Sequence, residues 1–335
     1  MEAVSEAGLT DLDRSGDVFP GYINSGQTPS ISLKILEQIR FNYHGDLFDV
    51  NGVIEDSFPG YDAYLSRDIA RFQRRFNRLG DRCEVLDGSY LWITDRYSHF
   101  YYHWFCDALP RLAALLEDNQ CQERQLLVPR RVYDKNYVRE SLKYWPEIEV
   151  LVPPVADRIG VAEHLFLMSR LNETPMVNSE YVEKVANKYR LQTDMSSTGI
   201  NPKRVYVSRR NARVRRIVNE ADIIPILERY DFEILAMEEL SLRDQINLMA
   251  QTDILVGAHG GGLTNMIFLR PNVPVLELRR EHGPPPCFYN LAKACGHPWH
   301  MLACDPVHDD WHHHSADIAV DPEILDSKLT TIIGS

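Results

Sequence analysis

Three residues whose side chains could move a proton recur at intervals of four in the segment HWFCDALPR: His103, Asp107 and Arg111. If the segment is helical, this spacing places all three on one stripe of the helix surface. A carboxylate beside an imidazole can deprotonate a hydroxyl group, so the stripe predicts a general base with its orienting partner. Spacing does not decide whether His103 or Asp107 is that base. A surface stripe of ion pairs is the alternative interpretation.

A glycine-rich loop, GAHGGGLTN, joins a predicted buried strand, DILV, to a predicted helix. Glycines allow a ligand to approach the backbone closely, and the start of a helix offers N–H groups and the positive end of its dipole. The loop therefore predicts a phosphate-binding site, while the alternative is a tight turn whose glycines serve packing alone. The candidate contacts are His259, Gly260, Gly261, Gly262, Leu263, Thr264 and Asn265.

Common nucleotide-binding and hydrolase motifs do not explain this loop. Its glycines do not match the spacing G-x-G-x-x-G, and no G-K-[ST] follows, so neither a dinucleotide fingerprint nor a P-loop fits. The run His-Gly-Gly-Gly is similar to the oxyanion loop of esterases, but the chain has no G-x-S-x-G nucleophile elbow. The sequence therefore argues against a serine hydrolase.

An arginine-rich stretch, RVYVSRRNARVRR, stands out in a chain with 36 basic and 48 acidic residues and a net charge of −12. Arg209 and Arg210 directly follow a predicted strand, which is where open α/β sheets bind ligands. Guanidinium groups contact phosphate oxygens through paired hydrogen bonds, so we expect Arg209, Arg210, Arg215 and Arg216 to contact an anion. A solvated loop or an RNA-binding patch is the alternative, and the acidic balance disfavours RNA.

Two further features concern a carboxylate and a possible metal. Glu277 ends the predicted strand PVLEL, where it could accept hydrogen bonds from ribose hydroxyls or be an ordinary surface carboxylate. The run HDDWHHH, residues 308–314, has adjacent histidines but no paired cysteine or carboxylate motif. No metal site is therefore predicted.

Composition limits the class of protein. With 335 residues, 44% of them hydrophobic and 25% charged, the chain is typical of a soluble globular protein of about two domains. The sequence has no run of 18 apolar residues and no visible secretory signal, and its six cysteines are scattered. We therefore expect a cytoplasmic protein with reduced thiols, no transmembrane segment and no nucleic-acid partner.

Short apolar strands alternate with amphipathic helices in two series, separated by the polar stretch 192–203. This alternation predicts an α/β protein with two Rossmann-like domains, whose parallel sheets face a cleft, and a small β-rich N-terminal region. We expect a mobile arm over 1–30, one domain over 31–195 and the second over 196–315. The remaining residues, 316–335, predict a helix that packs back on the N-terminal domain.

These segments, in this order, resemble glycosyltransferase family 61, once called a domain of unknown function. The family pattern is HW-x-x-D-x-L-P-R, a strand end with S-R followed by R-R-I-x-N-E, then G-A-H-G-x-G-L-T-N and a hydrophobic strand ending in Glu. Here these segments read HWFCDALPR, VSRR with RRIVNE, GAHGGGLTN and VPVLEL. The resemblance implies a GT-B-like fold whose N-terminal domain serves the acceptor and whose C-terminal domain holds a nucleotide sugar.

The resemblance also implies a hexosyl- or pentosyltransferase that inverts the sugar and needs no essential metal or other cofactor. Donors in the family are UDP-sugars, including UDP-N-acetylglucosamine, UDP-xylose and UDP-arabinose, and the acceptor is a glycan or another hydroxyl compound. We expect Asp107, oriented by His103, to deprotonate the acceptor, while the arginines and the glycine loop stabilise the departing diphosphate. The alternatives are an epimerase or oxidoreductase on a similar fold, or a nucleotide-sugar-binding protein without activity.

Overall fold

The computed structural model describes residues 31–49, 52–54, 57, 70, 74, 84–153, 160–171, 175–192, 204–281, 285–307 and 315–334. They divide into two compact units, a first one ending at Val185 and a second one beginning at Ala186. The boundary therefore falls earlier than expected, within the helix Ser179–Arg190. The expected arm over 1–30 and the histidine run over 308–314 lie outside the described residues.

The first unit is built on a seven-stranded mixed sheet. Its strands are β1 (Leu33–Phe41), β2 (Leu47–Asp49), β3 (Gly52–Val53), β4 (Glu84–Trp92), β5 (Gln125–Leu127), β6 (Val150–Leu151) and β7 (Gly160–Met168), in the order β3-β2-β1-β7-β4-β5-β6. Strands β7, β4, β5 and β6 are parallel, whereas β1 pairs antiparallel with both β2 and β7. The antiparallel edge is the β-rich region that the sequence predicts ahead of the first series.

The helices of the first unit follow the predicted alternation. A single helical run consists of α1 (Tyr101–His103), a π-helical turn (Trp104–Ala108) and α2 (Leu109–Glu117). It is followed by a 3₁₀ turn (Asn119–Cys121), α3 (Arg130–Tyr133), α4 (Asn136–Leu142) and α5 (Ser179–Arg190), the last of which spans the boundary between the units. The apolar face of the run buries Trp104, Leu112 and Leu115 completely.

The second unit has a five-stranded sheet that is parallel throughout. Its strands are β8 (Arg204–Val207), β9 (Phe232–Leu235), β10 (Ile254–Ala258), β11 (Val275–Arg279) and β12 (Trp299–Ala303), with a separate hairpin of β13 (Asp305–Pro306) and β14 (Ile318–Ala319). The order β12-β11-β10-β8-β9 confirms the predicted parallel sheet. It also places a topological switch point between β8 and β10, since the chain leaves β8 towards β9 and returns on the other side.

The helices of this unit are α6 (Glu220–Arg229), α7 (Leu242–Ala250), α8 (Cys287–Ala294) and α9 (Pro322–Gly334), with 3₁₀ turns at Met237–Glu239 and Gly261–Phe268. Among the described residues, no helix is both long enough and apolar enough to cross a membrane. The prediction that the last helix packs on the N-terminal domain is wrong. Leu325, Leu329 and Ile332 of α9 are buried in the core of the second unit, because its apolar face matches that core.

Burial of His297 links the stability of this unit to pH. The ring is 1% exposed, its Nε2 lies 3.0 Å from the carbonyl oxygen of Met266, and burial lowers its pKa to about 4. An unfolded histidine has a pKa of about 6.5, so between pH 6.5 and 4 the unfolded state binds the proton first. The free energy of unfolding therefore decreases as the pH falls through this window.

We predict that His297→Gln, which keeps an N–H donor but does not titrate, weakens this pH dependence. Urea unfolding at pH 7 and pH 4.5 should show that the wild type loses about 2 kcal/mol more than the variant between the two values. Equal losses in the two proteins would contradict the assignment.

Candidate functional site

In the first unit, the ends of two neighbouring parallel strands bring a carboxylate and an arginine together. Asp95 follows β4 and Arg170 follows β7, and Arg170 Nη2 lies 2.8 Å from Asp95 Oδ2. The other oxygen of Asp95 accepts hydrogen bonds from the backbone N–H of Tyr97 and the hydroxyl of Ser98, both at 2.9 Å. Burial would raise the pKa of Asp95, but Arg170 and Arg111 lower it overall, so the buried group stays ionised at neutral pH.

The predicted pairing of His103 with Asp107 is present. His103 Nδ1 lies 2.6 Å from Asp107 Oδ2, and the side chains are 15% and 11% exposed. Asp107 belongs to the π-helical turn Trp104–Ala108, a form that occurs mostly as single-turn bulges and often at functional sites. The structure therefore holds the carboxylate against the imidazole near the protein surface.

The third predicted residue, Arg111, is buried and only 2% exposed. The π-helical turn uses one residue more than an α-helical turn, so the residues beyond Asp107 are rotated from the positions that an ideal α-helix would give them. Asp107 and Arg111 nevertheless line the same hollow, so the burial of Arg111 argues against the alternative of a surface stripe of ion pairs rather than against the predicted grouping. The charge of Arg111 also lowers the pKa of the buried carboxyl group of Asp95.

The electrostatics of His103 favour its protonated form. Burial would lower the pKa of the ring, but the hydrogen bond to Asp107 and the charges of Asp107 and Asp95 outweigh burial, and the pKa is raised. The ring of Tyr97 stacks on the imidazole with 5.4 Å between centroids and an interplanar angle of 30°. Because Asp95 fixes the backbone N–H of Tyr97, the same carboxylate that supports the charge of His103 also orients the stacked ring.

A small hollow that is open to solvent lies beside Asp107. Its polar lining consists of Asp107, Arg111, Arg170 and Asn178. A carboxylate reached from such a hollow can accept a proton from a hydroxyl group, while an imidazolium on its other side keeps it oriented. The first unit therefore offers the arrangement of a general base.

In the second unit, Arg209 lies at the switch point, just beyond the end of β8. Its Nε donates to the carbonyl oxygen of Arg215 at 3.0 Å, and its Nη2 donates to that of Val214 at 2.9 Å. Burial lowers the pKa of Arg209 to about 10, so the guanidinium remains charged at neutral pH. Its remaining terminal nitrogen, Nη1, lies against Gly260 at the end of β10.

Gly260 is required by this close approach. Its φ of 162° is extended and suits any residue, but a Cβ there would lie 1.9 Å from Nη1 of Arg209. Gly262, by contrast, leaves room for Val207, since its Cβ would lie 2.6 Å from that side chain. Gly260 thus leaves room for the guanidinium group of Arg209, whereas Gly262 serves packing alone, which is the alternative that the sequence left open.

The three residues after the glycines are not exposed. The segment Gly261–Phe268 is a 3₁₀ helix in which Leu263, Thr264 and Asn265 are 1%, 0% and 0% exposed. The amide of Asn265 donates to the carbonyl oxygen of Gly262 at 3.1 Å. The tight helix turns the side chains of Leu263 and Asn265 into the core, which argues against the predicted side-chain contact of Asn265. Thr264 Oγ1 is buried without a hydrogen-bond partner among the described residues, so its contact stays a prediction, and Gly261 and Gly262 remain partly exposed.

The prediction that Glu277 contacts ribose hydroxyls is also wrong. The residue is fully buried. Its carboxylate accepts hydrogen bonds from His259 Nδ1 at 2.5 Å, Trp299 Nε1 at 3.1 Å and Arg279 Nη1 at 3.5 Å. Burial would raise its pKa, but Arg279 and His259 lower it, so the group is an ionised structural carboxylate. A ribose hydroxyl cannot reach this carboxylate, because Glu277 lies in the middle of β11 and its side chain is completely buried.

The remaining predicted arginines lie in different surroundings. Arg210 pairs with Glu239 at 2.7 Å and Arg216 pairs with Asp317 at 2.8 Å, and both arginine side chains are about half exposed. Arg215 is less exposed than either and has a left-handed backbone with φ of 57°. The structure therefore distinguishes two half-exposed arginines paired with carboxylates, Arg210 and Arg216, from two partly buried ones in the segment after β8, Arg209 and Arg215.

Sequence reasoning missed Asp95, Arg170, Arg279, Arg280 and Trp299. For four of them a signal existed, since Asp95, Arg170, Arg279 and Arg280 lie at or just beyond the ends of parallel strands, where ligand-binding groups collect. Within the described ranges, no three His, Cys, Asp or Glu side chains are grouped as metal ligands. The histidine run lies outside those ranges, so the expectation about metal stays a prediction.

We predict that Gly260→Ala destabilises the protein, because the new methyl group displaces Arg209 from two carbonyl groups. With about 1.5–3 kcal/mol for a hydrogen bond from a charged group, the free energy of unfolding should fall by about 2–4 kcal/mol in urea titrations. Gly334→Ala is the matched control, since its Cβ meets no atom within 4 Å. Equal stability of the two variants would contradict the close packing of Arg209.

Comparison with known proteins gives one family and several relatives. The family model described as Glycosyltransferase 61 matches residues 101–276. The EGF domain-specific O-linked N-acetylglucosamine transferase of Drosophila melanogaster is 32% identical over 114 residues, which is 32% of this chain and 22% of that protein. The Bos taurus protein of the same name is 33% identical over 98 residues, or 28% of this chain and 18% of its own length.

A third relative has a different name. The Beta-1,2-xylosyltransferase of Arabidopsis thaliana is 27% identical over 99 residues, covering 30% of this chain and 16% of that protein. The chain thus aligns with less than a quarter of the length of each of these three relatives.

Proposed function

This chain belongs to glycosyltransferase family 61, whose model matches more than half of it, and from that premise we propose that it transfers a sugar from a nucleotide sugar to a hydroxyl group. The proposed donor is a UDP-sugar, the acceptor is a glycan or another hydroxyl compound, and the transfer inverts the anomeric centre. The names of the relatives support a sugar of this class, since they describe transferases of N-acetylglucosamine and xylose.

The observation that carries the proposal is the 2.6 Å contact between His103 and Asp107 beside an open hollow. A protonated imidazole cannot act as a base, and the pKa of His103 is raised. Asp107 is therefore the proposed base, and His103 holds it through its Nδ1–H. In this mechanism the acceptor hydroxyl loses its proton to Asp107 while its oxygen attacks the anomeric carbon in a single displacement.

The departing diphosphate needs positive charge as the glycosidic bond to it breaks. The second unit offers Arg209 at the switch point and the partly exposed backbone of Gly261 and Gly262 beside it. Fixed charges and dipoles of this kind stabilise developing negative charge without reorganising, which is the basis for proposing a reaction without an essential metal. This assignment retains Arg209 and the glycines from the sequence prediction and omits the buried Thr264 and Asn265.

The GT-B type of fold and the cytoplasmic location belong to the same proposal. Two compact units, each with parallel strands, support a GT-B type. The location, the expectation that no nucleic acid is bound and the expectation that no cofactor is needed stay predictions from the sequence.

The proposal is tested with a panel of UDP-, GDP- and CMP-sugars. A ligand at 100 times its dissociation constant adds about 2.7 kcal/mol to stability, so the correct nucleotide should raise the melting temperature of the protein. Slow hydrolysis of the same donor in excess EDTA would support transfer without a metal. Binding without hydrolysis or transfer would favour the alternative, a nucleotide-sugar-binding protein, and stabilisation by NAD alone would favour an oxidoreductase.

We predict that Asp107→Asn lowers turnover of the donor identified in that panel by about 10²–10⁴-fold, the usual contribution of a general base. Binding of UDP, measured by calorimetry, should stay close to that of the wild type, since Asp107 belongs to the other unit. The matched control is Asp134→Asn, which removes a surface carboxylate from the same unit and should leave turnover unchanged. Unchanged turnover in Asp107→Asn would reject Asp107 as the base.

A further inference from the structure

A second, small hollow that is open to solvent lies in the second unit at the ends of β10 and β11. Its polar lining consists of His259, Arg279 and Arg280 from the two strand ends and Arg215 from the segment after β8. Neighbouring carboxyl ends of parallel strands are the usual position of a ligand in an open α/β sheet. Three guanidinium groups and one imidazole give this hollow the character of an anion site.

The hydrogen bonding of Arg280 supports this interpretation. Its Nη1 is buried and makes no hydrogen bond to any residue that the structure describes. Buried donors are nearly always satisfied, so an unsatisfied guanidinium nitrogen in a hollow of this kind points to an acceptor that binds there. Arg279 is different, because its charge is already matched by Glu277.

The backbone at Arg215 is the second supporting observation. A left-handed conformation is unfavourable for a residue with a Cβ and persists where the surroundings enforce it, often at ligand sites. Here the carbonyl oxygen of Arg215 accepts from Arg209, and its N–H donates to the carbonyl oxygen of Ser315 at 3.3 Å. These two hydrogen bonds hold Arg215 at the rim of the hollow.

His259 is the group in the hollow that can change its charge. Its Nδ1–H donates to the buried carboxylate of Glu277, and Phe288 of α8 packs edge-on against the ring. The charged groups that act on it are Glu277 and Arg279 from β11 and Arg215 from the segment after β8. Burial, aided by the two arginines and opposed by Glu277, lowers its pKa to about 4, so the imidazole is neutral at pH 7.

We propose that this hollow binds a phosphate group of a nucleotide and that His259 takes up one proton from solvent when the phosphate enters. The proton binds to Nε2, no covalent bond changes, and the proton returns to solvent when the nucleotide leaves. Glu277 is a positioning residue, because it holds Nδ1–H and leaves Nε2 as the nitrogen that becomes protonated. The nucleotide part of the inference rests on the proposed function.

The physical reason is a change in charge balance. An entering phosphate brings negative charge next to the arginines that disfavour the imidazolium, so the cost of protonating His259 falls. At pH 7 the bound protein should then carry between about half a proton and one proton more than the free protein, if the pKa of His259 rises to 7 or above.

Calorimetric titration with UDP at pH 7, in two buffers of different ionisation enthalpy, measures this uptake. Protonation of UDP itself contributes equally in all variants, so the relevant quantity is the difference between the wild type and His259→Asn, which keeps an N–H donor for Glu277. We expect the wild type to take up about half a proton to one proton more. Equal uptake in the two proteins would overturn the role of His259.

Arg280→Met tests the hollow separately. Loss of a hydrogen bond from a charged group should weaken UDP binding by about ten- to a hundredfold. Arg229→Met is the matched control, since Arg229 is an exposed arginine of the same unit that pairs with Asp326, and it should leave the affinity unchanged. Unweakened binding by Arg280→Met would overturn the hollow as the phosphate site.

Two further measurements keep the outcomes distinct. If His259→Asn does not fold, the ¹⁵N shifts of His259 in the wild-type protein report protonation on addition of UDP, and unchanged shifts would overturn the inference. If the wild type does not bind UDP, inorganic pyrophosphate replaces it as the probe. Binding of pyrophosphate with the same proton uptake would retain the hollow and reject the nucleotide, whereas failure to bind either probe would reject the hollow itself.

Discussion

A carboxylate that is removed from water must be matched by positive charge and hydrogen bonds, and both units are organised around such a group. In the first unit Asp95 is matched by Arg170 and Arg111, and in the second Glu277 is matched by Arg279. Asp95 lies just beyond the end of β4, whereas Glu277 is the central residue of β11, and in both cases parallel pairing keeps the neighbouring strands together. The candidate site residues are therefore held by the same interactions that make the buried charges tolerable.

The two histidines next to these carboxylates have opposite properties. Two carboxylates act on His103 and raise its pKa, whereas burial and two arginines lower the pKa of His259 to about 4. The protonated form is therefore favoured for the first ring, which contacts Asp107, whereas the second ring is neutral at pH 7. A histidine side chain is thus biased towards its charged form in the first unit, whereas in the second unit a histidine is neutral and able to gain a proton.

The order of strands and helices could be predicted from the sequence because hydrophobic periodicity reports which face of an element is buried. The pairing of His103 with Asp107 followed from helical spacing for the same reason. The burial of Glu277 could not be predicted, since the strand pattern does not show that Trp299 and Arg279 enclose its carboxylate. The 3₁₀ form of Gly261–Phe268 was also missed, because an apolar segment of this length fits either helix type.

The π-helical turn at Trp104–Ala108 has a consequence for how this segment tolerates change in length. Such a turn is an α-helix with one extra residue, and the surplus is absorbed where Asp107 stands. Removal of one residue from this turn would restore a regular helix without rotating the turns on either side, whereas removal of a residue from the regular part of the helix would rotate everything beyond it by about 100°. The register between the imidazole and the buried guanidinium of Arg111 is thus recorded in the number of residues as well as in their identities.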